Sequence, residues 1–234
     1  MAQWRHWCAV LLFTFAMVAS AQTPASVDVH SRLQFPTGAA RHVLPSAVLW
    51  LKPLADTPPA PFPPGREYTL VQKNRTFKPH LLVIPVGSIV QFPNRDPFFH
   101  NVFSLFDGKR FDLGLYEAGS SKSVSFSREG VSYIFCNIHP EMSGVILTLS
   151  TSLYAIADVH GDLQIANVPP GDYEMHIWIE GVPQPDLNRM TRRVHVMPGA
   201  SDLGAVQIPS ILVKSQPHTN MYGQPYDRDV TPTY

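Results

Sequence analysis

Apolar residues along this chain fall in short runs that are separated by turn-forming residues. Residues 27–33 alternate loosely between apolar and polar side chains, and 47–51 is a short continuous apolar run. Runs of this length, bounded by glycine and proline, are typical of β-strands rather than helices. We therefore predict two strands here, joined by a loop that carries Thr37 and Gly38.

The same pattern is denser in the middle of the chain. Strands are predicted over stretches separated by turn signals, namely 81–86, 89–92, 124–126, 132–136 and 144–149. No part of this region shows a helical period of apolar residues. Short strands at close spacing, with polar residues in the loops between them, predict an all-β sandwich over 77–150.

A second group of strands is predicted after residue 151. The candidates are 154–159, 163–165, 173–179, 193–196 and 206–208. Turn signals such as Gly161-Asp162 and Pro170-Gly171 separate them. The polar tail over 211–234 has no periodicity, and we predict that it is extended or disordered, or draped on the domain surface.

Proline density marks a boundary between the first two strands and the middle region. The stretch from 56 to 65 contains Pro58, Pro59, Pro61, Pro63 and Pro64. Neither a helix nor a central strand tolerates prolines at this density. We therefore predict a stiff, extended linker over 55–76.

The first residues read as a secretory signal. Arg5 precedes an apolar run over 8–18, and Ala19-Ser20-Ala21 offers a small-residue cleavage site. We predict a signal peptide over 1–21 that is cleaved near Ala21, with a retained N-terminal anchor as the alternative. The mature chain is then periplasmic, with no membrane span. Equal numbers of basic and acidic residues, 18 of each, give no reason to expect nucleic acid as a partner.

Cysteine usage points to a metal. Of the two cysteines, Cys8 lies in the predicted signal, so Cys136 has no partner for an intrachain disulfide. His139 follows it by three positions and Met142 by three more. Thiolate, imidazole and thioether together favour copper, with His100 upstream as the candidate second imidazole. Zinc on one cysteine, two histidines and a water is the main alternative metal.

Two stretches of the middle region carry a family resemblance. They are Val86-Gly87-Ser88 through Asn94-Arg95 to His100-Asn101-Val102, and Gly130-x-Ser132-Tyr133-x-Phe135-Cys136-x-x-His139-Pro140-x-Met142. Residues 77–150 thereby resemble the cupredoxins, the type 1 blue-copper proteins. The Cys-x-x-His-x-x-Met spacing is similar to that of amicyanin rather than plastocyanin. The chain departs from amicyanin in its two long flanks and in residues 107–121.

The resemblance implies a Greek-key β-sandwich that holds one copper ion, cycling between Cu(I) and Cu(II). It implies His100, Cys136, His139 and Met142 as the ligands, and Asn101 as the residue that ties the two ligand loops together. It also implies that the His139 ring edge lies near the surface as the electron port. An apolar docking patch is then expected around it, with packing beneath the loops as the alternative role of these residues: Pro97, Phe98, Phe99 and Pro140.

The function implied is single-electron transfer between redox proteins, without catalysis. The amicyanin-like spacing suggests a role in methylamine utilisation, with an amine dehydrogenase as donor and a c-type cytochrome as acceptor. Two other functions stay open. One is copper storage or delivery, and the other is a non-catalytic binding module with a structural copper.

The flanks carry a second resemblance. The pattern from Ala157-Asp158 through Asn167-Val168-Pro169-Pro170-Gly171 to Tyr173 is similar to the carboxypeptidase-regulatory, transthyretin-like β-sandwich. We hypothesise that 27–54 and 152–210 form one small sandwich, with the cupredoxin domain inserted between them. Two independent flanking pieces are the alternative. The resemblance implies recognition or spacing as the role of this module.

Overall fold

The computed structural model describes residues 26–35, 44–54, 57, 67–105, 108–199, 202–209 and 219–226. The predicted signal peptide over 1–21 and the loop with Thr37 and Gly38 lie outside these ranges. Among the described residues, no helix is long and apolar enough to cross a membrane.

Strands dominate the described parts of the chain, which confirms the all-β prediction. The elements in chain order are β1 Val27–Gln34, β2 Ala47–Pro53, β3 Glu67–Thr69, β4 Val71–Lys73, β5 Thr76–Lys78, β6 Leu81–Pro85, β7 Ser88–Pro93, β8 His100–Ser104, β9 Phe111–Tyr116, β10 Ser121–Phe126, β11 Gly130–Phe135, β12 Ser143–Leu149, β13 Tyr154–Ile156, β14 Asp162–Val168, β15 Gly171–Ile179, α1 Gln184–Met190, β16 Arg192–Val196 and β17 Asp202–Gln207.

Strands β3 to β12 build what we call the middle sandwich, residues 67–149. One sheet has the order β10-β7-β3, and the other has the order β6-β12-β11-β8-β9. Alternation along β7 shows how the core forms, since Ser88, Val90 and Phe92 are fully buried while Ile89, between the first two, is 40% exposed. The partners of Val90 and Phe92 in the apolar core from the opposite sheet include Ile84, Ile146 and, from β8, Val102.

Strands from either side of the middle sandwich meet in what we call the flanking sandwich, residues 27–53 and 154–207. Its sheets have the orders β14-β1-β17 and β13-β2-β15-β16. The strands before residue 54 therefore pair with strands after residue 154, and among the described residues neither joins a ladder with the middle sandwich. The insertion hypothesis expects this pairing, and the transthyretin-like identity of the flanking strands stays a prediction.

The two faces of strand β12, which belongs to the middle sandwich, contribute to two different apolar cores. Val145, Leu147 and Leu149 belong to the core cluster of the flanking sandwich, whereas Ile146 belongs to that of the middle sandwich. Because successive side chains of a strand point to opposite faces, an unbroken apolar run can serve two cores. The middle sandwich is thus joined to its flanks by a continuous apolar interface.

Polar contacts surround this interface. Lys52 of β2 pairs with Glu129 at 2.6 Å, and His80 pairs with Glu180 at 2.7 Å. Each pair joins one sandwich to the other. They orient the two parts around the apolar contact, which supplies most of the stabilisation because it removes the larger area from water.

The prediction that the linker extends to residue 76 is wrong. Residues within 55–76 form β3 and β4, and β3 pairs in parallel with β7 through Glu67↔Ile89, Tyr68↔Val90 and Thr69↔Gln91. Leu70, between the two strands, is fully buried. Strands of three residues are too short to show a period, and here they are fixed by their partners rather than by their own pattern.

Four further elements, β5, β8, β9 and α1, have no counterpart in the predicted pattern. Strand β9 lies within 107–121 and pairs with β8 at the edge of its sheet. Helix α1 has seven residues, and Leu187 is its single buried residue, so it carries no apolar stripe. Pro183 and Pro185 favour its first turn because their fixed φ suits a helix start.

The His80–Glu180 pair predicts a pH-dependent contribution to stability. The hydrogen bond to Glu180 raises the pKa of His80 above its ordinary value of 6.5, and it lowers the pKa of Glu180 below 4.5. Because the pKa of His80 is raised on folding, its contribution to stability is fully present below pH 6.5. That contribution is lost as the pH rises through the folded-state pKa. Because the pKa of Glu180 is lowered on folding, its contribution to stability is present above pH 4.5. That contribution is lost as the pH falls through the folded-state pKa.

The pair therefore contributes most between about pH 4.5 and 6.5. We expect His80→Gln to lower the free energy of unfolding by less than about 1 kcal/mol in this window, since both side chains are partly exposed, and by less above it. Urea unfolding across the pH range measures this. His160→Gln, in an exposed turn, is the control, and an identical pH profile for the two variants would contradict the prediction.

Candidate metal centre

Neighbouring strands bring the predicted ligands to one end of the middle sandwich. His100 is the first residue of β8, and Cys136 directly follows the last residue of β11. The two strands are adjacent in their sheet, with Phe103 opposite Phe135. His139 lies in the loop that connects β11 to β12. A segment distant in sequence therefore meets the short ligand loop, residues 136–142.

Three donor atoms form a small triangle. The Nδ1 atoms of His100 and His139 are 3.1 Å apart, and the Cys136 Sγ lies 3.8 Å from the first and 3.6 Å from the second. His100 and Cys136 are fully buried, and His139 is 3% exposed. The structure thus brings together three of the four predicted ligands, in a group able to hold a metal ion.

The triangle has the size that a metal ion needs. A point equidistant from the three atoms lies about 2.0 Å from each of them, close to the lengths of about 2.0–2.1 Å for zinc–imidazole and about 2.3 Å for zinc–thiolate bonds. Two imidazoles and one thiolate in a plane form the trigonal set of a blue-copper site. The donor set and its spacing therefore fit the expected ion.

Both histidines are neutral at physiological pH, as ligation requires. Burial lowers the pKa of His100, and burial with the neighbouring His100 lowers the pKa of His139 to about 4. The Nε2 of His100 lies 2.8 Å from the Asp96 carboxylate. A carboxylate can only accept there, so Nε2 carries the proton and Nδ1 faces the triangle with its lone pair free.

Asp96 is a functional residue that sequence reasoning missed. Its carboxylate accepts hydrogen bonds from the backbone N–H groups of Asn74 and Arg75, at 2.6 and 3.0 Å, in the turn between β4 and β5. Burial alone would raise the pKa of Asp96, but the hydrogen bonds from Arg75, His100 and Asn74 outweigh it and lower the pKa. The carboxylate therefore stays charged and fixes the His100 ring.

The surroundings of the Cys136 sulfur act on its charge in two opposite directions, and the net effect is a raised pKa of the thiol. Burial raises the pKa of the thiol, whereas backbone N–H groups of Asn101, Ile138 and His139 act in the opposite direction. A cation in the triangle would add a larger effect of the same sign, since a coordinating thiol loses its proton. The polar backbone around the sulfur thus stabilises the charge that a bound metal would induce.

Asn101 bridges the two segments that carry the ligands. Its Oδ1 accepts a hydrogen bond from the backbone N–H of Asn137 at 3.3 Å, and its Nδ2 donates to Asp112 at 2.7 Å. The residue after His100 is thus bonded to the residue after Cys136. This is the contact that the resemblance implies for Asn101.

Met142 closes the ligand loop. Its backbone N–H donates to the carbonyl of His139 at 3.0 Å, and its carbonyl accepts from Cys136 at 3.3 Å. The side chain is fully buried and belongs to the core of the middle sandwich. Its position on the loop agrees with an axial role, which stays a prediction.

The His139 ring packs against aromatic neighbours and the residue is 3% exposed, and the role of its ring edge as an electron port near the surface stays a prediction. The ring centroids of Phe98 and His100 lie 5.6 and 4.8 Å from that of His139. Phe98 also contacts the His100 ring at 5.2 Å, so it packs on both imidazoles. Of the predicted docking patch, Phe98 is half-buried, while the other members are exposed: Pro97, Phe99 and Pro140.

Comparison with known proteins gives structural matches only. No family model and no curated protein matches the chain. It is similar to a novel purple cupredoxin from Nitrosopumilus maritimus, with 26% identity over 35% of this chain and 99% of that chain and a TM-score of 0.33. A copper-containing nitrite reductase from Thermus scotoductus matches with 27% identity over 42% of this chain and 25% of that chain, with a TM-score of 0.34. A reduced mutant of amicyanin matches with 20% identity over 36% of this chain and 82% of that chain, with a TM-score of 0.34. Each match covers less than half of this chain.

Removing the Asp96 charge should weaken the metal centre. We expect Asp96→Asn to lower copper affinity by about 10- to 100-fold, since the partner that orients the His100 ring is lost. The reduction potential should rise, because a nearby negative charge stabilises Cu(II) more than Cu(I). Competition with a chromophoric chelator and voltammetry measure the two effects.

Glu141→Gln is the matched control for this prediction. It removes an exposed carboxylate from the ligand loop and leaves the bond between Asp96 and His100 in place. Equal changes in the two variants would mean that Asp96 acts only as a distant charge.

Proposed function

We propose that this chain holds one copper ion in a type 1 site and carries single electrons between redox proteins. The observation that supports this is the buried triangle of His100 Nδ1, His139 Nδ1 and Cys136 Sγ, with sides of 3.1 to 3.8 Å. Met142 is the proposed weak axial ligand. Copper, when bound, supplies the Cu(I)/Cu(II) couple.

The donor set favours copper over zinc. Structural zinc takes four cysteine or histidine ligands, and catalytic zinc keeps an open position for water. Among the described residues the group has three members, and all three are buried. Asp96 bonds the far nitrogen of His100, so it does not complete a zinc set. A buried thioether on the ligand loop suits copper, for which thiolate and thioether are soft ligands.

The chain holds its ligands nearly fixed, which is what electron transfer requires. His100 is fixed by Asp96 on one side and by the Phe98 ring on another. The ligand loop is fixed by Asn101 at one end and by the backbone contacts of Met142 at the other. A site that is preorganised in this way changes little when its charge changes, so the barrier to electron transfer is low.

The proposed partners are a c-type cytochrome as acceptor and an amine dehydrogenase as donor, in the periplasm. The docking surface is the patch of Pro97, Phe98, Phe99 and Pro140. Phe99 is 52% exposed, which is unusual for a phenylalanine and favours contact with another protein. Phe98 links this surface to the site, because its ring touches both imidazoles.

Storage or delivery of copper fits the arrangement less well. A delivery protein exchanges its ion, so at least one ligand has to be accessible. Here all three donor residues are at most 3% exposed. Burial instead favours an ion that is retained while its charge changes.

The first test is the electronic spectrum of the copper-loaded protein. We expect an intense visible band from charge transfer between the thiolate and Cu(II), together with a reversible one-electron wave. Cys136→Ser should remove the band, because the hydroxyl is not a soft ligand. Glu141→Gln, an exposed position on the same loop, is the control and should leave the band unchanged. A band that survives Cys136→Ser, or a loaded protein without a reversible wave, would contradict the proposal.

A further inference from the structure

The described C-terminal residues contact the ligand loop. We call residues 219–226 the C-terminal strap. The Tyr226 hydroxyl donates to the carbonyl of Cys136 at 2.9 Å, and the backbone N–H of Met221 donates to Asn137 Oδ1 at 2.9 Å. Both contacts fall on the first two residues of the loop, from a segment 84 to 90 residues away in sequence.

The strap has its own internal order. The Asn220 side chain accepts hydrogen bonds from the backbone N–H groups of Tyr222 and Gln224, both at 3.0 Å. Its backbone accepts from Gly223 at 2.9 Å and donates to Gln224 at 2.8 Å. Gly223 has a φ of 76°, which suits glycine in a tight turn. A turn that is organised in this way loses less conformational entropy when it docks.

The contacts of the strap extend the hydrogen bonds that fix the loop. Asn137 donates its backbone N–H to Asn101 and accepts Met221 on its side chain. A chain of bonds therefore runs from the strap through Asn137 to β8, where His100 lies. The strap and Asn101 hold the same loop residue from two directions.

Tyr226 places its hydroxyl in a desolvated position. Tyr226 is half-buried, and its hydroxyl donates to the Cys136 carbonyl at 2.9 Å. Tyr222 of the same strap is 74% exposed instead. The two tyrosines therefore differ in the hydrogen bond to the Cys136 carbonyl, which Tyr226 makes.

We propose that the C-terminal strap is a latch on the ligand loop that slows the loss of the metal ion. Its release would leave the start of the loop held by the Asn101 and Met142 contacts alone, so Cys136 would move away from His100 more readily and open the triangle. The effect on copper rests on the function proposed above, whereas the contact between strap and loop does not. No other segment described for the chain bonds the Cys136 carbonyl.

The test compares Tyr226→Phe with Tyr222→Phe in the full chain. Both changes delete one hydroxyl from the strap, and only the first removes the bond to Cys136. With Cu(I)-loaded protein and an excess of a chromophoric Cu(I) chelator, we expect Tyr226→Phe to speed copper transfer about fivefold, as for the loss of one hydrogen bond. Asn220→Ala, which dismantles the turn, should act in the same direction.

Hydrogen exchange of the metal-free proteins gives a second readout. The backbone amides of the ligand loop should exchange faster in Tyr226→Phe than in Tyr222→Phe. Equal copper transfer rates, or equal exchange of the loop amides, would overturn the latch. If the wild-type chain bound no copper, the proposed function would fail, and hydrogen exchange alone would still decide whether the strap holds the loop.

Discussion

Three side chains able to hold a metal ion are buried together in one triangle, and the surrounding structure is arranged around this constraint. A buried thiol and two buried, neutral imidazoles lose the hydrogen bonds that water would give them. Their Nδ1 and Sγ atoms face each other at 3.1 to 3.8 Å, and the bond from His100 Nε2 to Asp96 leaves the His100 Nδ1 as an acceptor there. A cation in the triangle would interact with the lone pairs of all three atoms at once.

The neighbouring elements keep that triangle from collapsing. Asp96 holds His100 from the side away from the site, and the turn between β4 and β5 holds Asp96 through two backbone N–H groups. The position of that turn depends on β3 and β4. Strand β3 pairs with β7, and Gln72 of β4 bridges to Asn94, which directly follows β7. A short stretch that carries no ligand therefore fixes the orientation of one.

The flanks support the same site from further away. Strand β12, which begins just after the ligand loop, is buried on one face by the middle core and on the other by the flanking core. The anchor at the end of the loop is thus more rigid than a strand with one solvated face. Since the C-terminal strap also bonds the start of the loop, both ends are held by segments outside the middle sandwich.

The sequence was sufficient for the strands with clear alternation and for the three donors that the structure unites. Cys136 and His139 are close in the chain, and His100 carries a recognisable motif. It did not suffice for Asp96, whose role depends on a turn some twenty residues away. Nor could it predict the burial of His139, which follows from ring packing with Phe98, or the strap, whose contacts are single hydrogen bonds. Tertiary contacts of this kind leave no periodic trace.

The most direct test of the central claim is X-ray diffraction from crystals of the copper-loaded protein, recorded at the copper absorption edge. The account predicts one anomalous peak inside the triangle, bonded to the Nδ1 atoms of His100 and His139 and to the Sγ of Cys136. A peak at any other position, or copper-loaded crystals in which the three atoms hold no ion, would contradict it.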